Sequence, residues 1–187
     1  MPVTALDPKT ALLVIDLQKG IMSLPTVHPT ADVVRHAAAL ADAFRRRDLP
    51  VVLVNVAGGA AGRTEQTRNP GAFSDGWADL VPELNQQPKD RTVTKRTWGA
   101  FTNTGLEAYL REVGATQVVI AGVATSIGVE STARQAYELG FNVTLAVDAM
   151  TDRNADAHAN SVTRIFPRLG EVGTTREILD LLDRVRE

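Results

Sequence analysis

At 187 residues and 44% hydrophobic content, the chain has the length of one domain (1–187) and enough apolar side chains for a sizeable core. Its 20 basic and 22 acidic residues are interspersed and leave a formal charge of −2, which argues against nucleic acid or a membrane surface as partner. There is no cysteine, so disulfides, thiolate metal sites and thiol nucleophiles are excluded.

The N-terminal MPVTALDPKTALLVIDLQKG has no basic region leading into a long apolar run, and nothing approaches the roughly 18 apolar residues of a membrane span. A cytoplasmic protein is the expectation. The first strand is predicted at 11–16, ALLVID, and Val33, Ala37, Leu40, Ala41 and Phe44 then fall on one helical face. A second strand, VVLVNV, covers 51–56. The segment 57–76 is Gly-rich, polar and long for a connection, and reads as a surface loop, a lid or a subunit arm. Its GGAAG lacks the strand-to-helix context of a dinucleotide site, and Trp77 reads as its anchor.

Strands follow at 91–95, RTVTK, and 117–121, QVVIA, separated by a helix for which Thr104 is the expected N-cap. Val129, Ala133, Ala136 and Tyr137 form the next helical stripe, supported by Glu130 and Arg134 at i,i+4 spacing. A strand at 143–147, a weak one at 170–173, and a closing stripe of Ile178, Leu181, Leu182 and Val185 complete the pattern. Strands apolar throughout and alternating with helices predict a three-layer α/β domain around a parallel sheet.

Ligands of such sheets bind beyond the carboxyl ends of the strands, where strand order reverses. In a 3-2-1-4-5-6 order that crevice lies between Asp16 and the turn 122–128. Asp16 follows five apolar residues, where water is partly excluded and its pKa can move; a cap or a simple ion pair is the alternative. Lys95 ends a strand on the same rim, and the helix start near Ser126–Gly128 offers free amides to an anion. Gln18 and Asn55 lie near strand ends facing the crevice as candidates for substrate hydrogen bonds, and Trp98 and Phe101 are candidates for walls against a planar ligand. Arg63 and Arg68 could clamp a carboxylate, and Asp148 reads as a cap for AMTDRN.

Three motifs, ALLVIDLQ with Asp16, VTKRTWGAF with Lys95, and VVIAGVATSIGVESTARQAYELGFNVTLAVDAMTD, together resemble the isochorismatase-like hydrolases, over about residues 9 to 182. That family includes nicotinamidases, N-carbamoylsarcosine amidases and isochorismatases. The resemblance implies a six-stranded parallel sheet between helices, a catalytic Asp16 and Lys95, and a nucleophilic cysteine at a position where this chain has Gly128. It also implies a cis peptide at Val123–Ala124 that aims the amides of Ala124 and Gly128 into an oxyanion hole. Some isochorismatases likewise have glycine there and cleave a vinyl ether without a covalent intermediate. They carry an aromatic residue where this chain has Ala124 and a histidine where it has Ser126, so Ser126 reads as a substrate contact. Nicotinamidases bind a metal through histidines after strand 2, where this chain has none. His28, His36 and His158 are far apart in sequence, His36 on a polar helix face, and neither metal nor cofactor is expected.

Two functions follow from the resemblance and the missing thiol. One is hydrolysis of a small carboxylated molecule, with Asp16 as general acid on an enol ether and Lys95 and the amides near Gly128 holding carboxylates. Lys95 is expected to lower the Asp16 pKa, which opposes that role. The other is a small-molecule-binding or scaffold protein that has lost hydrolysis. Either would form a homodimer or homotetramer, as members of the family commonly do.

Overall fold

The computed structural model describes residues 3–65 and 73–184. Six strands, β1 (Thr10–Ile15), β2 (Val51–Val56), β3 (Arg91–Lys95), β4 (Gln117–Val123), β5 (Asn142–Thr151) and β6 (Glu171–Gly173), form one sheet in the order β3-β2-β1-β4-β5-β6. Every pairing is parallel. The helices are α1 (Lys19–Met22), α2 (Thr30–Arg45), α3 (Leu106–Glu112), α4 (Glu130–Glu138), α5 (Ala155–Asn160), α6 (Phe166–Leu169) and α7 (Thr175–Arg184).

β1 and β4 are buried along their whole length because helices cover both faces. Alternate β1 residues serve opposite cores. Leu12 and Val14 join Val33, Leu40 and Phe44 of α2 and Ile178 and Leu182 of α7, while Leu13 and Ile15 join Leu106 and Leu110 of α3 and Ala133 and Ala136 of α4. Each buried Leu, Ile, Val or Phe side chain contributes about 1.5–3 kcal/mol relative to exposure, so the central strands form the rigid base on which the site stands.

Two elements differ from the sequence pattern. β5 does not stop at Val147 but runs on to Thr151, pairing Met150 with Gly122 and Thr151 with Val123 after a register shift. Asp148 interrupts the apolar run without ending the strand. It does not cap the segment after it: its carboxylate takes the amide and hydroxyl of Thr175, at the start of α7. On α4, Tyr137 is 54% exposed and buried Thr132 replaces it, donating to the Gly128 carbonyl and accepting from the Ala100 amide. The Glu130–Arg134 pair forms at 2.9 Å, whereas the N-cap position of α3 falls on Gly105 and not on Thr104, whose hydroxyl accepts from the Leu106 amide at 3.3 Å from one residue further back. No described helix is long and apolar enough to cross a membrane.

β1 and β4 are neighbours, so their carboxyl ends emerge side by side where strand order reverses. At Ile15 and Gly122 the strands come so close that a Cβ on Gly122 would lie 2.0 Å from the Ile15 carbonyl oxygen. Gly122 also has φ of 121°, so only glycine suits this contact. It brings the turn after β4 directly beside Asp16.

Candidate active site

Asp16 follows β1 with φ of 53°, a left-handed conformation that Asp tolerates better than most residues. Its amide donates to the Val54 carbonyl and its carbonyl accepts from the Gln18 amide, so the backbone is held on both sides. Lys95, the last residue of β3, sends its ammonium across the end of β2: Nζ is 2.7 Å from Asp16 Oδ2 and 3.2 Å from the Thr97 carbonyl. Asp16 is 4% exposed and Lys95 2%. Asp16 Oδ1 is buried without a hydrogen-bond partner among the described residues.

Burial pushes the Asp16 carboxyl up to about 6, and the attraction of the Lys95 ammonium offsets this only in part. Lys95 lowers the Asp16 pKa as expected, but it does not hold the carboxyl in the ordinary ionised range, because burial raises the pKa by more. Loss of water outweighs the ion pair.

Beyond β4 the peptide Val123–Ala124 is cis. A π-helical turn, Thr125–Val129, then leads into α4. The Ala124 carbonyl takes the amides of Ile127 at 3.0 Å and Val129 at 3.2 Å, where a regular helix would give it the Gly128 amide lying between them. Gly128 is buried, and a Cβ on it would lie 3.2 Å from Asp16 Oδ2, 3.1 Å from Ile15 Cγ2 and 3.3 Å from the Val123 carbonyl. The carboxylate of Asp16 thus fills the space a side chain at 128 would first enter.

A cavity of about 220 Å³ opens over these groups. Asp16, Lys95, Gly128 and the Val123–Ala124 peptide line it at one end; Ile21, Leu24, Val56, Trp98 and Ile127 supply apolar walls. Arg153, just beyond β5, also lines it and has no ion-pair partner among the described residues. The adjoining Asp152 makes no ion pair with it: its Oδ1 takes the amides of Arg153 and Asn154 and its Oδ2 takes the amide and hydroxyl of Ser126. A larger groove of about 720 Å³ lies at the opposite end of the sheet, where four of its lining charges pair with one another, Arg45 with Asp90 and Lys89 with Asp48.

The model of the isochorismatase domain matches residues 10–177. The chain belongs to the isochorismatase family. It is 43% identical over 179 residues to the uncharacterized isochorismatase family protein YwoC of Bacillus subtilis, covering 92% of this chain and 93% of that one. It is 30% identical over 162 residues to nicotinamidase 3 of Arabidopsis thaliana, covering 81% and 79%. An isochorismatase family protein from Burkholderia thailandensis superposes with a TM-score of 0.92 at 43% identity, covering 96% of this chain and 98% of that one.

Within this isochorismatase-family chain, Asp16, Lys95, Val123, Ala124, Gly128 and Trp98 converge on one cavity, with Trp98 61% exposed at its mouth. The other residues selected from the sequence lie elsewhere. Gln18 spends its side-chain amide on the Val56 amide and carbonyl and the Trp77 carbonyl, tying β2 to the segment after it. Asn55 donates to the Ala78 carbonyl, and Phe101 packs on the apolar core beside Phe141. Ser126 is pinned to Asp152 and does not line the cavity. Trp77 stacks on Phe73 at 4.0 Å, Arg63 is outside the lining, and Arg68 and Val185 lie outside the described residues.

The histidines also depart from expectation. His28 and His158, 130 positions apart, meet edge to face with ring centroids at 4.7 Å, and His36 is not simply solvated but places Nδ1 2.8 Å from the Asp148 carbonyl. Among the described residues, no group of three or more His, Asp or Glu side chains could hold a metal ion. Sequence spacing missed Arg153 as well. Its place depends on the late end of β5 and on Asp152 being fully committed to backbone and Ser126 donors.

Proposed function

We propose that this isochorismatase-family hydrolase cleaves small carboxylated enol ethers, with water as nucleophile and Asp16 as general acid. The observation that carries this is the Asp16 carboxyl: buried, raised to about 6, bound by Lys95 at Oδ2, unpartnered at Oδ1, and facing a residue with no side chain. A carboxyl whose pKa approaches the working pH is suited to giving up a proton. Since Oδ2 accepts from the ammonium, that proton belongs on Oδ1.

Transferred to the terminal carbon of an enol ether, the proton leaves an oxocarbenium ion at the ether carbon. Water adds there and returns a proton to Asp16, and the resulting hemiketal breaks into an alcohol and a keto acid. The amides of Ala124 and Gly128 are the donors for the substrate's carboxylate. Lys95, with two contacts already made, has one N–H left for the same group and serves mainly to tune Asp16. Arg153 then holds a second anionic group at the mouth, and the apolar walls with Trp98 accept an unsaturated ring. Because the cavity-lining Leu24, Trp98 and Ile127 are all exposed, the proposed assembly is a homodimer or homotetramer in which a second copy covers them.

Incubation with isochorismate or chorismate is the direct test, with pyruvate release as the expected result and no release from either as the result that overturns the proposal. Arg153→Gln is expected to raise KM about tenfold to a hundredfold, as for loss of one hydrogen bond to a charged group, and to leave kcat within a few-fold. An unchanged KM would remove Arg153 from the binding site.

A further inference from the structure

Behind the cavity, on the side away from Lys95, two histidines join the pieces that form its wall. Thr125, fully buried at the start of the π-helical turn, has Oγ1 2.9 Å from His158 Nδ1. His28 places Nδ1 3.1 Å from Thr151 Oγ1, and the same hydroxyl accepts the His28 amide at 3.0 Å. The cavity-lining Thr26 donates to the His28 carbonyl, and the Val27 amide donates to the Asp152 carbonyl. The wall segment 24–28, the end of β5 and the turn bearing Gly128 therefore meet at the contact between two imidazoles.

The geometry points to His158 as a positioning residue: by accepting the Thr125 hydroxyl proton at Nδ1 it fixes the turn 124–128 so that its amides face the substrate, and His28 ties the opposite wall to the same point. This rests on the function proposed above. Neutral imidazole is the form that accepts from a hydroxyl; a protonated ring would donate instead and force the buried hydroxyl to find another acceptor. Burial and the neighbouring His28 both lower the His158 pKa, in keeping with a neutral ring, against the smaller opposing pull of Asp152. Glu130, on the adjoining α4, is occupied by Arg134 and by the Ser161 hydroxyl.

The test that needs neither substrate nor variant is a proton–nitrogen NMR titration of the full chain. The amide signals of Thr125, Ser126 and Gly128 are expected to move together with the His158 ring, at a midpoint below the ordinary histidine value. In turnover, His158→Ala is expected to lower kcat about tenfold to a hundredfold with KM within about twofold, and His158→Asn to recover part of the loss. Turn amides that ignore the His158 titration would overturn the assignment, as would a His158→Ala enzyme with unchanged kcat. Should the enol-ether reaction fail in the unaltered protein, the titration still decides the role of His158; should His158→Ala fail to fold, His28→Asn is expected to raise the midpoint by removing the like-charged neighbour, and an unmoved midpoint would count against the coupling.

Discussion

Asp16→Asn is expected to reduce hydrolysis by about a hundredfold to ten-thousandfold, the range for loss of a positioned acid, while ligand binding stays nearly intact. Asn keeps the shape of the side chain and its carbonyl oxygen can still accept from Lys95 Nζ, 2.7 Å away in the unaltered protein, but the NH2 group that then takes the place of Oδ1 is no acid. The pH dependence fixes the sign of the role. With the carboxyl raised to about 6, an acid is active in the protonated state, so kcat/KM falls as pH rises through about 6. A base that activates water is active when ionised, and its rate would rise through the same range. At pH 7 roughly a tenth of the free enzyme is protonated, and an anionic substrate beside Asp16 moves that fraction up. Loss of this limb in Asp16→Asn, with circular dichroism confirming the fold, is the expected outcome. Turnover unchanged by the substitution would contradict the assignment.

Much of this site is legible in the sequence because it stands on strand ends. An acidic residue after ALLVI and a lysine after RTVT can only emerge at the carboxyl edge of a parallel sheet, and the order of the strands puts both on one rim. What the sequence conceals is how far each polar group is already spent. Gln18 follows Asp16 by two positions and reads as a ligand, yet its amide satisfies backbone groups of β2 that would otherwise be buried unpaired. Asp148 looks like the end of a strand because it breaks an apolar run, and that masks the continuation to Thr151 that sets Arg153 at the cavity. The balance between burial and the ion pair at Asp16 also has no signal in residue spacing; it depends on how completely water is removed. The His28–His158 contact is tertiary in the same sense, made by a loop and a short helix far apart in the chain.

Gly128→Cys carries the second large effect. A Cβ at this position would approach Asp16 Oδ2 to 3.2 Å and Ile15 Cγ2 to 3.1 Å, closer than side chains comfortably pack, so the carboxylate must retreat by a few tenths of an ångström. The expected cost in stability is about 1–3 kcal/mol, read by urea denaturation. Enol-ether hydrolysis is expected to fall at least tenfold, since the displaced Asp16 no longer meets the substrate carbon and the thiol occupies space meant for the ring. Amide hydrolysis of nicotinamide is not expected to appear. If it did, the pocket would be an amidase pocket lacking only its thiol, and the shape around Gly128 would have no bearing on the reaction. A protein that binds isochorismate yet turns over neither enol ether would instead support the non-catalytic alternative, a binding or scaffold role.

The central claim is that a proton from Asp16 reaches carbon before water attacks. The rate of isochorismate hydrolysis in heavy water against ordinary water addresses it most directly: transfer of the Asp16 proton to carbon in the slow step predicts turnover clearly slower in heavy water. Equal rates in the two solvents, or pyruvate release at an undiminished rate by Asp16→Asn, would contradict the claim.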